Sequence, residues 1–255
     1  MLGRWATWST KKHELDKMEL GDLVVAYFTH YSIQVYLVLA VVGLALTLHW
    51  ADSAWGPLLA AAVTLVIYPL VEYVLHRWIL HARWPYKSPW TAKAWKRVHY
   101  DHHQNPHDLS VLFGALYTTL PTILAITLPL GWLVAGAAGA AAAMTTGLLI
   151  FALYEFCHCV QHLPFTPRNG WLREIKKRHL AHHFHSEQGN FGITSGLWDR
   201  VFGTFYGQMK EVERSPTTFN LGYTGPERDR YPWVAQLSES EDELTARRQR
   251  RRAPA

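Results

Sequence analysis

The sequence predicts an all-α integral membrane protein of about four transmembrane helices with a helical cap on the cytoplasmic side, and three observations predict it. Stretches of membrane length carry no charged side chain: Leu23 to Ala51, Ser53 to Val71 and Leu109 to Tyr154 hold no Asp, Glu, Lys or Arg. All 25 Lys and Arg residues fall on one side of a four-span arrangement. Ten of the 15 histidines gather in four tight groups that this arrangement brings to one membrane face, which makes the cap a histidine-rich dinuclear metal site.

Composition excludes several classes. With 49% apolar and 18% charged residues in 255, the chain is not a disordered tail. A mean hydropathy near zero suggests a soluble protein only because the apolar residues are segregated from the polar ones. The two cysteines, Cys157 and Cys159, rule out a disulfide framework and read as bystanders. The basic balance calls for no nucleic acid, since positive-inside topology already accounts for it.

Taken in order, residues 1–31 form an N-terminal cytoplasmic segment without the pattern of a secretion signal. Residues 32–206 form the membrane domain, with spans at about 32–51, 55–76, 111–130 and 135–157. The uncharged run from 109 to 154 is long enough for two crossings, and Pro129, Gly131 and Gly136 mark the turn between them. Four basic residues (Arg4, Lys11, Lys12, Lys17) precede the first span, six (Arg77 to Arg97) lie between spans two and three, and the other fifteen follow span four. Both termini and the polar segments therefore face the cytoplasm. Residues 207–255 read as a cytoplasmic tail, partly disordered, ending in an acidic cluster (Glu239, Glu241, Asp242, Glu243) and five arginines. A bacterial inner membrane is the expected location, from the absence of a targeting segment and of an ER-retrieval tail, with a eukaryotic ER membrane as the alternative.

The histidine groups are His76 with His81, then His99, His102 and His103, then His158 with His162, then His179, His182 and His183. Groups one and two follow the second span, and groups three and four follow the fourth, so topology gathers all ten at one face. At about 100° per residue, His158 and His162 lie about 40° apart on a helix, as metal ligands must. His76 and His81 diverge by about 140°, so they share a metal only if the helix ends or unwinds between them. Adjacent members of each triplet point about 100° apart, which suits two neighbouring metals better than one. Burying so many imidazoles without a partner is costly, whereas lone histidines such as His30 and His49 read as interfacial. An all-imidazole set suits zinc, copper, nickel or iron; five nitrogens per metal leave a position open for oxygen, which favours iron, and zinc can replace it in a purified sample by its higher affinity.

These residues resemble the membrane-bound fatty acid hydroxylase and sterol desaturase superfamily, whose boxes HxxxxH, HxxHH, HxxxH and HxxHH read here as HRWILH (76–81), HYDHH (99–103), HCVQH (158–162) and HLAHH (179–183). The stretch NFGITSGLWDRVFGT, 190–204, is similar to the closing signature, and YEFCH with WDRVFGT is most similar to fatty acid and sphingolipid hydroxylases. The resemblance implies two iron ions with O2 as co-substrate and hydroxylation of a lipid. It implies one metal on His76, His81, His99, His103 and His182, and the other on His102, His158, His162, His179 and His183. With only about 30 residues before the first span, an amino-terminal cytochrome b5 domain is not expected, and electrons come from a separate donor, cytochrome b5-like or a ferredoxin and its reductase.

Around the ligands, Glu72, Asp101, Glu155 and Asp199 are the nearest carboxylates to orient imidazoles, and His185 and Asn190 join them as candidates. His107, four after His103, fits an exposed position as well as a place beside the ligands; Gly189, Gly192, Gly196 and Gly203 read as backbone punctuation, and Trp78, Trp84, Trp90 and Trp95 as an aromatic belt. A sterol or carotenoid oxidase or a lipid desaturase would use the same centre. A metal transporter would want ionisable residues near mid-span, and the spans have none there.

Overall fold

A computed structural model of the chain describes residues 13–240. Arg4, Lys11, Lys12 and the terminal run from Glu241 onward lie outside the described residues. Among the described residues the fold is all-helical, and its frame is three helices long and apolar enough to cross a membrane. Labelled in chain order, the helices that place the site are α1 (Leu20–Thr29), α2 (Tyr31–Trp50), α3 (Trp55–Leu75), α4 (Pro89–Trp95), α5 (Leu116–His162) and α6 (Gly170–Phe184).

The apolar stretches become helices because backbone amides in lipid have no partner but one another. Their outward faces stay apolar: Val41, Leu48, Val66 and Leu133 are exposed. This makes the chain an integral membrane protein.

Helix α5 is two antiparallel arms. Its backbone leaves the helical region at Ala135 (φ −153°, ψ 37°) and Gly136 (φ 57°, ψ −143°), the second a conformation open to glycine. The turn thus lies four residues beyond Gly131, and Pro129 and Gly131 sit inside the first arm. Gly131 serves packing instead: a Cβ there would lie 2.2 Å from the Gly139 carbonyl oxygen on the opposite arm. Farther along, a Cβ on Gly147 would lie 2.5 Å from Thr127 Cγ2, so small residues let the arms close.

Both flanks of the membrane domain are more structured than the sequence suggests. Residues 20–29, assigned to the N-terminal segment, form α1, opened by a capping box in which the Glu19 amide donates to Asp22 Oδ2 at 3.1 Å. Its Leu23, Ala26 and Tyr27 are buried, and Tyr27 Oη donates to the Ala152 carbonyl at 2.6 Å. The stretch after 206, read as a tail, packs into the cap: Leu221, Tyr223 and Val234 form a buried cluster with Tyr86, Ala92 and Trp95. The main core joins Leu23, Tyr27, Ile33 and Tyr36 to Leu109, Phe113, Leu148 and Val160. It packs α1 and α2 against both arms of α5.

Candidate metal centre

Helix α3 does not stop at Leu75 but widens into a π turn, His76–Leu80, closed by a bond from the His81 amide to the His76 carbonyl at 3.0 Å. A bond from residue i+5 back to i brings residues five apart onto one face, so the divergence of His76 and His81 expected for a regular helix disappears. A second π turn, Lys96–Tyr100, precedes the short helix Asp101–Gln104 and turns His99, His102 and His103 toward the same point. The last turn of α5 supplies His158 and His162, and α6, capped by Asn169 Oδ1 accepting from the Leu172 amide at 3.0 Å, supplies His179, His182 and His183.

The structure brings the ten histidines into two groups of five: His76, His81, His99, His103 and His182, and His102, His158, His162, His179 and His183. In each group one ligand atom per residue lies within 4.8 Å of every other. The division coincides with the one the family resemblance implies. It splits both adjacent pairs, His102 from His103 and His182 from His183, in agreement with their angular divergence. The groups touch: the His103 and His183 rings stack with centroids 4.2 Å apart.

The donor set fits a cation in each group. His81 Nε2 lies 2.7 Å from His99 Nε2, 3.1 Å from His76 Nε2 and 3.1 Å from His182 Nε2. A single ring nitrogen offers one proton or one lone pair and cannot hydrogen-bond to three others. In the second group His102 Nε2 faces His183 Nε2 at 3.0 Å and His158 Nε2 at 3.1 Å, and His162 Nε2 faces His179 Nε2 at 2.9 Å. Imidazole nitrogens bound side by side at about 2.1 Å from one metal lie about 3 Å apart, which is this spacing. Burial also keeps the rings in the form that ligates: it pushes His103 and His182 down to about 3, and His99, His102, His179 and His183 well below the ordinary value.

Backbone carbonyls, not carboxylates, orient the first group. Nδ1 donates to the Phe191 carbonyl from His76 at 2.5 Å, to the Gly189 carbonyl from His182 at 2.8 Å, and to the Thr218 carbonyl from His103 at 2.8 Å. The sequence-selected groups stand one layer out. Glu72 Oε1 accepts from the Ile193 and Thr194 amides at 2.5 and 3.0 Å, and Oε2 from Thr194 Oγ1 at 2.5 Å. Asp199 accepts from the Phe191 and Gly192 amides at 2.8 and 2.9 Å, and Asn190, at φ 55°, pairs with the Tyr206 backbone through both ends of its amide. Together these three hold the 189–194 loop whose carbonyls meet the histidines. Glu155 accepts from the Gly114 amide at 3.0 Å, Asp101 pairs with Lys96 at 2.9 Å, and His185 Nε2 donates to the Val212 carbonyl at 2.9 Å. His107 is half-buried, its ring 5.9 Å from that of His162.

A cavity of about 380 Å³ runs from the histidines into the membrane domain. Its walls are three helix faces: Thr64, Tyr68, Glu72 and His76 on α3, Thr118, Thr122, Ile126 and Leu130 on the first arm of α5, and Gly147, Phe151, Tyr154 and His158 on the second. The recurrence every three or four residues is that of one face of each helix. His76 and His99 of one group and His158 of the other open onto it. Trp84 and Trp90, read as an aromatic belt, line it at the histidine end and are exposed.

A profile described as fatty acid hydroxylase matches residues 61–204. The dihydroceramide fatty acyl 2-hydroxylase FAH2 of Arabidopsis thaliana is 34% identical over 161 residues, 62% of this chain and 65% of its own length. The ceramide very long chain fatty acid hydroxylase SCS7 of Saccharomyces cerevisiae is 34% identical over 152 residues, 57% of this chain and 37% of its own. Rat fatty acid 2-hydroxylase is 31% identical over 150 residues, 55% and 37% of the two chains. The chain thus matches less than two thirds of each of these relatives. A solved structure titled full-length scs7p, with only the hydroxylase domain visible, superposes with a TM-score of 0.60 at 29% identity, covering 72% of this chain and 68% of that one.

Proposed function

The chain belongs to the fatty acid hydroxylase family, and from that premise we propose that it hydroxylates the fatty acyl chain of a membrane lipid, a ceramide-like lipid or a fatty acid, near the head end of that chain. The observation that carries the proposal is the cavity: one long apolar slot, with both histidine groups at one end only. In this reading His76, His81, His99, His103 and His182 hold one iron ion, and His102, His158, His162, His179 and His183 hold the other. Iron ions bound there supply the reductive activation of dioxygen that no side chain offers, with zinc able to occupy the same ligands.

The rest of the work belongs to the protein. The acyl chain enters from the bilayer and lies along the faces of α3 and α5, so its carbons are ordered before any bond changes. Trp84 and Trp90 meet the polar end of the lipid at the level where amphipathic rings sit in membranes. The first carbons of the chain then lie against His76, His99 and His158. Ile67, Val71, Leu75 and Phe151 line the slot with hydrocarbon and exclude water. One oxygen atom enters the C–H bond and the other leaves as water, with electrons from a separate cytochrome b5-like or ferredoxin-type donor. The cluster faces the cytoplasm, where the excess of Lys and Arg puts it.

Mass spectrometry of total lipids from cells expressing the protein, against cells expressing His102→Ala, tests this reading. A lipid class one oxygen heavier, present only with the intact protein and with the hydroxyl next to the carbonyl, is expected. Loss of two hydrogens, or oxygen placed at the far end of the chain, overturns it.

A further inference from the structure

Glu187 lies four residues after His183, in the turn just past α6, and is buried. It lies outside every histidine box, and its partners lie past residue 204, where the family match ends. Glu187 Oε1 accepts from Ser215 Oγ at 2.9 Å and from Thr217 Oγ1 at 2.5 Å. The Ser215 amide donates to the His185 carbonyl at 2.9 Å, and the Leu221 amide closes a turn on the Thr217 carbonyl at 2.8 Å. Residues 215–221 are thereby strapped to the end of α6. Just beyond the Glu187 contacts, the strap offers the Thr218 carbonyl to His103 Nδ1 at 2.8 Å and the Phe219 carbonyl to the side-chain amide of Gln104.

We infer that Glu187 is a positioning residue for the first histidine group, acting through this strap on His103. A carbonyl accepts only from an N–H, so the Thr218 carbonyl selects the tautomer protonated at Nδ1 and leaves the Nε2 lone pair free. His103 Nε2 is buried and has no hydrogen-bond partner, and it belongs to the five-nitrogen group. Without Glu187 the Ser215 and Thr217 hydroxyls lose their common acceptor, and the strap no longer fixes the Thr218 carbonyl. The effect falls on one group of five, because none of the second group bonds to the strap among the described residues.

The inference rests on the reading of both groups as metal sites, and zinc binding separates the two. The full-length protein in detergent is stripped of metal and titrated with Zn2+ against a chromophoric chelator, with bound metal counted by mass spectrometry. The parent is expected to hold two zinc ions. Glu187→Ala is expected to keep one at parental affinity and bind the other about 10-fold more weakly, the low end of the effect of removing a ligand's own hydrogen-bond partner, because Glu187 stands one step farther out. Glu187→Gln, whose amide oxygen still accepts from both hydroxyls, is expected to restore the second site. Ser215→Ala combined with Thr217→Val, which removes the donors and leaves the carboxylate, is expected to reproduce Glu187→Ala. A parent that takes up no zinc overturns the metal reading and the inference with it. A two-zinc parent with both sites unchanged in Glu187→Ala, or both weakened equally, overturns the inference alone.

Discussion

If the cavity holds the acyl chain, the end farthest from the histidines limits the chain length that the protein accepts. Thr64, at that end, stands twelve residues before His76 on α3, so at about 1.5 Å per residue the slot is about 18 Å deep. One leaflet of hydrocarbon, half of a core about 30 Å thick, is about 15 Å, so the slot takes a chain of full leaflet length. Thr64→Phe puts an aromatic ring in the space of roughly three methylenes, each worth about 0.8 kcal/mol on burial. A long chain then loses about 2.4 kcal/mol relative to one three carbons shorter, about 60-fold in their ratio of kcat/KM. Ile126→Phe narrows the same slot from the opposite wall and is expected to shift the ratio in the same direction. Thr64→Val, which removes the bond from Thr64 Oγ1 to the Ala60 carbonyl and adds almost no volume, is expected to leave it alone. The assay is competition: a mixture of acyl lipids of graded length in proteoliposomes, with hydroxylated products resolved by mass spectrometry. A product profile unchanged in both phenylalanine variants, with activity retained, refutes the placement of the chain along α3.

Two further perturbations test the centre and the frame. His103 and His182 stay neutral in the folded protein down to about pH 3, whereas the unfolded chain protonates its histidines near 6.5, so the metal-free protein is most stable above about 6.5. As the pH falls below that value each of the two costs about 1.4 kcal/mol per unit, and melting in detergent between pH 7.5 and 5 is expected to show a steadily falling midpoint where a flat profile would count against neutral burial. Gly131→Ala sets a Cβ 2.2 Å from the Gly139 carbonyl oxygen, backbone against backbone, and is expected to cost about 3 kcal/mol; Gly21→Ala, with nothing within 4 Å, serves as the control, and equal melting of the two would sink the close-packed hairpin.

The chain wrote its frame plainly because lipid leaves little choice: a run without charge and of bilayer length has to be helix. The four histidine groups were equally legible, since membrane topology alone gathers them and the 100° between neighbours assigns His102 and His103 to different groups. Of the three residues expected at the hairpin turn, Gly136 lies in it, whereas Pro129 and Gly131 stay helical for a physical reason. Pro129 and Gly131 carry the usual marks of a turn, yet inside a membrane a proline can stay helical and a glycine can serve close packing, as Gly131 does against Gly139. The helix α1 was overlooked, although Glu19 and Asp22 form its capping box, because their roles become visible only once the start of the helix is known.

The layer that aims the imidazoles was the hardest to read, and the reason lies in what a sequence records. Spacing put Glu72 on the face of His76, but a buried carboxylate needs several donors, and a helix has already spent its amides on itself. The free amides are in the 189–194 loop, so Glu72 and Asp199 bind there. The carbonyls of the same loop are left to meet His76 and His182. A carbonyl is common to every residue and leaves no signature, which is why Gly189, Phe191 and Thr218 could not be found by residue type. The carboxylates that can be found act on the loop, and the loop acts on the ligands. That order also explains the first π turn: with His76 held by Phe191, the i+5 register is what lets His81 reach the same point, and the box HxxxxH records the result of that geometry.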